Sequence, residues 1–84
     1  MNTKQELERV RIALLSKPGT IISQKLVEAK TLLEELDYHD SYVRENFNTM
    51  SLIEARDIKN RTKKLGSLYA AIIKKLYRDF SFKL

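Results

Sequence analysis

The longest uninterrupted helical pattern in the sequence lies in its last third, between Ser51 and Phe80. No proline occurs in this segment, and its apolar residues return at alternating steps of three and four, the spacing of one helix face. The positions that hold the alternation are Ala55, Ile58, Thr62, Leu65, Tyr69, Ile72 and Leu76. The pattern predicts a helix over about 52–80, which is about 43 Å long at 1.5 Å per residue. No segment alternates apolar and polar residues over the length of a strand, so we expect an all-α fold.

Two local signals bear on this long helix. Ser51 and Glu54 have the spacing of a capping box, which predicts the start of the helix. Gly66 and Ser67 could end one helix and begin the next, as a C-terminal and an N-terminal cap. Glycine inside a helix costs only about 1 kcal/mol relative to alanine. We therefore expect a continuous or gently kinked helix, with a break at Gly66 as the alternative.

A first, short helix is predicted near the start of the sequence. Thr3 and Glu6 have capping-box spacing, and a single apolar stripe follows at Leu7, Val10, Ala13 and Leu14. Pro18 then disfavours helix in the residue before it and lacks a backbone donor. The expected length is about 13 residues.

A second helix is predicted to begin between Thr20 and Ser23. Its seam consists of Ile22, Leu26, Ala29, Leu33 and Leu36. The polar run from Asp37 to Asp40 is expected to stop it, which gives a length of about 25 Å. Asp40 could then cap a third, short helix ending near Phe47, although this segment could equally be an ordered loop. The last helix would in that case overhang the rest of the fold.

These elements predict a small antiparallel bundle of three to four helices, with the last helix longest and central. The chain has 84 residues, enough for one hydrophobic core and too few for two. We therefore treat residues 1–84 as a single domain.

Composition excludes several classes of protein. The sequence contains no cysteine, so it has neither disulfides nor thiolate metal sites. Its longest uncharged apolar stretch, residues 68–73, is far shorter than the ~20 residues of a membrane-spanning helix. Charged residues interrupt the first fifteen positions, so we recognise no signal peptide. We expect a cytoplasmic protein without a membrane span.

The positive charge of the sequence is concentrated at one end. The net charge is +5, and residues 49–84 hold nine lysines and arginines against three acidic residues. The densest cluster, named the basic cluster here, consists of Arg56, Lys59, Arg61, Lys63 and Lys64. A helix with this many cations near one face could follow a nucleic-acid backbone, with an affinity that falls as salt rises. The other interpretation is a solvated face partly balanced by the acidic residues of the second helix.

The apolar face of the last helix widens toward its end. A helix that is apolar over much more than 100° of its circumference is buried on more than one side. A central helix is buried on two sides because it contacts two neighbouring helices. Alternatively, one side of the helix contacts a second chain. The residues predicted for a protein interface are Tyr69, Ile73, Tyr77, Phe80 and Phe82. Tyrosine suits such a surface because it has an apolar body and a polar tip.

The sequence offers little catalytic chemistry. His39 is the single histidine, and its spacing from Asp37 and Asp40 matches no metal motif. Glycine-rich phosphate loops are absent as well, because Gly19 and Gly66 stand alone. We therefore predict no catalytic residues, no metal, no cofactor and no small-molecule substrate, and we expect a protein that is not an enzyme.

The function predicted from these features is regulation by binding. We expect a small helical interaction protein that binds another protein, or itself as a homodimer, through its long C-terminal helix. The alternative is an accessory nucleic-acid-binding protein that uses the basic cluster with little sequence preference, since no known DNA-reading motif is present.

Overall fold

Three α-helices form the fold of residues 2–84, which are the residues described by this computed structural model. The helices are α1 (Thr3–Leu15), α2 (Thr20–Asn46) and α3 (Leu52–Phe80). Short connections join them, so successive helices run antiparallel. No strand occurs in this part of the chain, and the predicted all-α class is confirmed.

The long C-terminal helix is present as one element. α3 contains 29 residues and continues through Gly66 without a break. The hydroxyl oxygen of Ser51 accepts a hydrogen bond from the backbone N–H of Glu54 over 3.1 Å. This contact satisfies one of the backbone donors that have no partner inside a helix.

The first helix has the predicted length and a different cap. α1 contains 13 residues, and the side chain of Asn2 accepts from the backbone N–H of Gln5 over 3.1 Å. Asn2 is therefore the N-cap, and the capping box predicted for Thr3 does not form. Thr3 is instead the first helical residue, and its hydroxyl donates to the carboxylate of Asp40 over 3.0 Å.

The predicted end of the second helix at residues 37–40 is wrong. α2 contains 27 residues and includes the segment expected to form a separate short helix. The two aspartates of the expected stop have partners on the first turn of α1: Asp37 lies 3.4 Å from the ammonium of Lys4, and Asp40 accepts from Thr3. Carboxylates also interact favourably with the positive N-terminal end of a helix dipole. These contacts make the aspartates compatible with a helix interior, so the bundle has three helices and α2, at about 40 Å, nearly matches α3.

The central helix is α2, not α3 as predicted. α2 packs against both of the other helices, whereas no Cα atom of α1 comes within 8 Å of a Cα atom of α3. α1 and α3 meet through side chains that share the core. The width of the apolar face of α3 suggested two neighbouring helices, but part of that face is solvent-exposed.

The core occupies only one part of the molecule. Its apolar members are Leu7 and Val10 of α1, Leu26, Ala29, Leu33 and Leu36 of α2, and Leu65, Tyr69 and Leu76 of α3. None of them lies after Leu36 in α2 or before Leu65 in α3. α1 is about 20 Å long, whereas the molecule measures 44 × 20 × 17 Å. Residues 40–62, named the tip here, therefore form a two-helix hairpin that extends beyond α1.

Candidate functional site

The residues predicted for a protein interface fall into three environments. Tyr69 is buried, and its hydroxyl donates to the carboxylate of Glu6 on α1 over 2.7 Å. Ile73 and Phe82 are half-buried and pack against the core. Tyr77 and Phe80 are exposed, at 62% and 39% of their surface. Of these five residues, only Tyr77 and Phe80 present a large apolar surface to solvent.

The burial of Tyr69 also changes its acidity. Removal from water disfavours the charged phenolate, and the neighbouring Glu6 carboxylate accepts the phenolic proton in a hydrogen bond. Both effects raise the pKa of Tyr69 well above its ordinary value. The residue is a neutral link between α1 and α3.

The end of α3 explains why its last two phenylalanines differ. Ser81 has a left-handed backbone conformation with φ of 52°, which ends the helix. The N–H of Phe82 donates back to the carbonyl of Leu76 over 3.1 Å. This turn directs Phe82 toward the core, whereas Phe80 stays on the outer surface of the helix.

The basic cluster contains one paired cation and four others. Arg61 binds Glu35 of α2 through two hydrogen bonds, of 2.6 and 2.9 Å. The Arg61 guanidinium lowers the pKa of Glu35, and the carboxylate in turn raises the pKa of Arg61. The remaining four residues are exposed and form no ion pair within residues 2–84. They are Arg56, Lys59, Lys63 and Lys64.

An open apolar cleft, named the tip groove here, lies between the two helices of the tip. It encloses about 520 Å³. It is lined by Asp40, Val43, Phe47, Met50, Ser51, Leu52, Ala55, Ile58, Lys59 and Thr62. Val43, Ala55 and Ile58 are half-buried, while Phe47 and Leu52 are 74% and 86% exposed. Exposed apolar side chains beside an apolar floor are typical of a binding surface.

A second apolar cleft lies further along the α2–α3 pair. This back groove, of about 580 Å³, is lined by Lys25, Val27, Glu28, Thr31, Leu32, Leu68, Ala71, Ile72 and Lys75. α1 contributes no residue to it. Two of its charged residues form an ion pair, since the ammonium of Lys25 lies 3.6 Å from the carboxylate of Glu28.

His39 has an ordinary structural environment. Its ring lies 3.3 Å from the carboxylate of Glu35 and meets the ring of Tyr38 edge-on. Among residues 2–84, no cluster of three or more histidine, aspartate or glutamate side chains has an arrangement that could hold a metal ion. The helices of the described chain also include none that is long and apolar enough to cross a membrane.

Comparisons with known proteins do not narrow the function further. No protein-family model, curated protein or solved structure matches this chain.

The tip groove is the part of the surface that the sequence did not indicate. In the sequence, Val43 and Phe47 lie in the segment that could form a short third helix, and Leu52 lies at the start of the last helix. They form a groove because α2 continues to Asn46 and places the first two residues beside the start of α3. The available signal was the apolar spacing of Val43 and Phe47, which extends the α2 seam in steps of three and four.

Proposed function

We propose that the protein is a non-enzymatic binding module that acts by binding another protein through the exposed apolar surface of its α2–α3 pair. The observation that supports this proposal is that α1 covers only part of the apolar seam between α2 and α3. The apolar seam between α2 and α3 is filled where α1 lies and open at the tip. The proposal includes a regulatory role and a cytoplasmic location.

The exposed apolar area at the tip supports this function. Phe47, Leu52 and Ile53 are 74%, 86% and 73% exposed, and they lie within seven positions of one another. Monomeric proteins rarely expose contiguous apolar patches larger than a few hundred Å², and such patches commonly mark interaction sites. A partner that covers such residues gains about 25 cal/mol for each Å² of apolar surface removed from water.

The exposed end of α3 is the second surface in the proposal. Tyr77 and Phe80 have the large amphipathic or apolar side chains that are enriched at interfaces. A chain that ends at Lys75 would lose this surface and would also lose Leu76, which is only 1% exposed and belongs to the core. Truncation therefore cannot separate loss of binding from loss of stability. The double variant Tyr77→Ser/Phe80→Ser removes the surface and leaves the core residues in place.

Self-association is tested first by light scattering of the full chain at two protein concentrations. The double variants Phe47→Ser/Leu52→Ser and Tyr77→Ser/Phe80→Ser are measured beside it. A dimer that disappears in one variant would assign the self-interface to that surface. If the chain is a monomer, the next experiment tests for a separate protein partner. It measures binding of acidic, neutral and basic amphipathic helical peptides. A monomer that binds none of the three peptides would contradict the proposed function.

The alternative proposal is binding of nucleic acid through the basic cluster. It is supported by the four cations of this cluster that have no acidic partner in the described chain, on a helix where they can lie along a phosphate backbone. The test is the salt dependence of binding to a short generic duplex. Neutralising Lys59, Lys63 and Lys64 should weaken binding equally for different sequences and flatten the salt slope by about one unit for each lysine that binds a phosphate. An unchanged slope would exclude this surface.

A further inference from the structure

α1 shows how a short helix occupies the seam between α2 and α3. Leu7 and Val10 are buried in the shared core, and Leu14 packs against it. These positions follow the spacing i, i+3, i+7, which places them on one face of a helix. The seam therefore accepts an amphipathic helix that presents one narrow apolar stripe.

The tip groove continues the seam that α1 occupies, along the same pair of helices. Asp40 accepts the hydrogen bond from Thr3 at the start of α1, and it also lines the tip groove. The open part of the seam thus begins where α1 begins. Val43 and Phe47 extend the spacing of the buried residues Leu33 and Leu36 into this open part.

The dimensions of the groove set the length of what it can hold. On α2 it extends from Asp40 to Phe47, about 10 Å, and on α3 from Leu52 to Thr62, about 15 Å. Two to three helical turns span this distance at about 5.4 Å per turn. The occupant that fits is a short helix with apolar residues at i, i+3 or i+4, and i+7.

The charges along the edges of the groove are predominantly positive. Lys59 lines the groove, and Arg56 and Lys63 lie three and four positions away in the same row of α3. On α2, Arg44 lies one turn after Asp40 and lines the adjoining cleft beside the first turn of α1. These four cations form no ion pair in the described part of the chain, whereas Asp40 is engaged by Thr3. The acidic residues Glu54 and Asp57 line a different cleft of the tip.

We propose that the tip groove binds an amphipathic helix of another protein, whose apolar stripe is flanked by aspartate and glutamate residues. This inference rests on the proposed protein-binding function and specifies the partner. The apolar floor binds the stripe, and the cations of α3 beside the groove attract the flanking carboxylates. The back groove supports no such choice, because two of its three charged residues, Lys25 and Glu28, form an ion pair with each other.

Other occupants fit the tip groove less well. A second copy placed tip to tip would bring the same cations together, and like charges across an interface oppose association. Nucleic acid would pair with the cations but would leave Phe47 and Leu52 without a function, since phosphate contacts need no apolar floor. An acidic amphipathic helix uses both the floor and the edges.

The test measures binding of fluorescent helical peptides to the full chain by anisotropy. Three peptides share the same apolar stripe and carry glutamate, glutamine or lysine beside it. We expect the glutamate peptide to bind at least about tenfold more tightly than the lysine peptide, with a preference that falls as salt rises. The variant Phe47→Ser/Leu52→Ser should weaken binding of the glutamate peptide by at least about tenfold. These two residues are exposed, so the variant is expected to fold, which circular dichroism verifies.

Two further variants decide the outcome. Lys59→Glu/Lys63→Glu should reverse the order of the glutamate and lysine peptides, whereas Leu68→Ser in the back groove should leave both affinities unchanged. Equal binding of all three peptides would overturn the inference about charge and leave the protein-binding function intact. Glutamate-peptide binding that survives Phe47→Ser/Leu52→Ser would overturn the assignment to the tip groove. Duplex binding that depends on Lys59 and Lys63, with no peptide bound, would replace the inference by the nucleic-acid alternative.

Discussion

The hydroxyl of Thr3 donates a hydrogen bond to the carboxylate of Asp40, across 37 positions of the sequence and a distance of 3.0 Å. This contact joins the first residue of α1 to a seam position in the second half of α2. It fixes the register of α1 on α2. It also marks the boundary between the part of the bundle that α1 covers and the tip that it leaves open.

Removal of this hydrogen bond should destabilise the fold. Thr3 is only 8% exposed, and Thr3→Val keeps its shape while removing the donor. We expect a loss of about 1–2 kcal/mol, because Asp40 keeps a charge with one partner fewer. Thr3→Ser retains the hydroxyl and is the matched control. Urea unfolding measures both variants, and equal stability of Thr3→Val and the parent chain would contradict the role of this contact.

The sequence predicted α3 correctly because its helix signals are local. The three–four alternation, the absence of proline and the Ser51 cap all lie within the segment itself. The end of α2 could not be predicted in this way. Asp37 and Asp40 resemble a helix stop in sequence, and their contacts with Lys4 and Thr3 of a different helix are not visible in the local pattern.

The candidate site was predictable in part, for the same reason. The apolar width of α3 indicated that part of its surface is available to a partner, and Tyr77 and Phe80 are exposed. Periodicity does not reveal which side of α3 meets α1, so it could not separate them from Tyr69, which is buried against Glu6. The tip groove depends on the pairing of α2 with α3, which no local pattern reveals.

The ion pair between Arg61 and Glu35 should make stability depend on pH in the acidic range. Arg61 lowers the pKa of Glu35 in the folded chain below its ordinary value of 4.5. The stabilisation is therefore present above that value and is lost as the pH falls through the folded pKa. Glu35→Gln should lower the urea midpoint at pH 7 and reduce its decrease between about pH 5 and pH 3.

Glu34→Gln is the control for this experiment. It removes the same charge from the neighbouring position, and Glu34 belongs to no ion pair of the described residues. Identical acid profiles for the two variants would show that the contact with Arg61 contributes nothing to stability.

Tyr69 should produce the corresponding effect at alkaline pH. Burial and the contact with Glu6 raise its pKa above the ordinary value of 10.0. The stabilisation is complete below that value and is lost as the pH rises toward the folded pKa. Tyr69→Phe should cost about 1 kcal/mol at pH 7, because the hydrogen bond to Glu6 is removed, and should flatten the alkaline decrease in stability. The control is Tyr77→Phe, at an exposed site, which should change neither the stability at pH 7 nor the alkaline decrease. Unfolding curves of both variants between pH 7 and pH 11 test this prediction.

The two glycines should respond in opposite directions to substitution by alanine. Gly66 lies inside α3, and a Cβ atom added there meets no atom within 4 Å. Gly66→Ala should therefore stabilise the protein by about 0.5–1 kcal/mol, which raises Tm by roughly 2–8 °C in a domain of this size. Gly19 has φ of 105°, a region that side-chain-bearing residues rarely adopt, so Gly19→Ala should destabilise it. Calorimetry measures both, and a lower Tm for Gly66→Ala would contradict a continuous α3.

The most direct test of the tip groove as a binding site is a map of where an acidic amphipathic helix contacts the chain. Nuclear magnetic resonance of the ¹⁵N- and methyl-labelled protein, titrated with the glutamate peptide, reports each residue separately. We expect shifts concentrated at Val43, Phe47, Leu52, Ala55 and Ile58, with the methyl groups of Val27 and Leu68 in the back groove unchanged. Shifts confined to the back groove or to the end of α3, or no shifts at millimolar peptide, would contradict the assignment of the tip groove as the binding site.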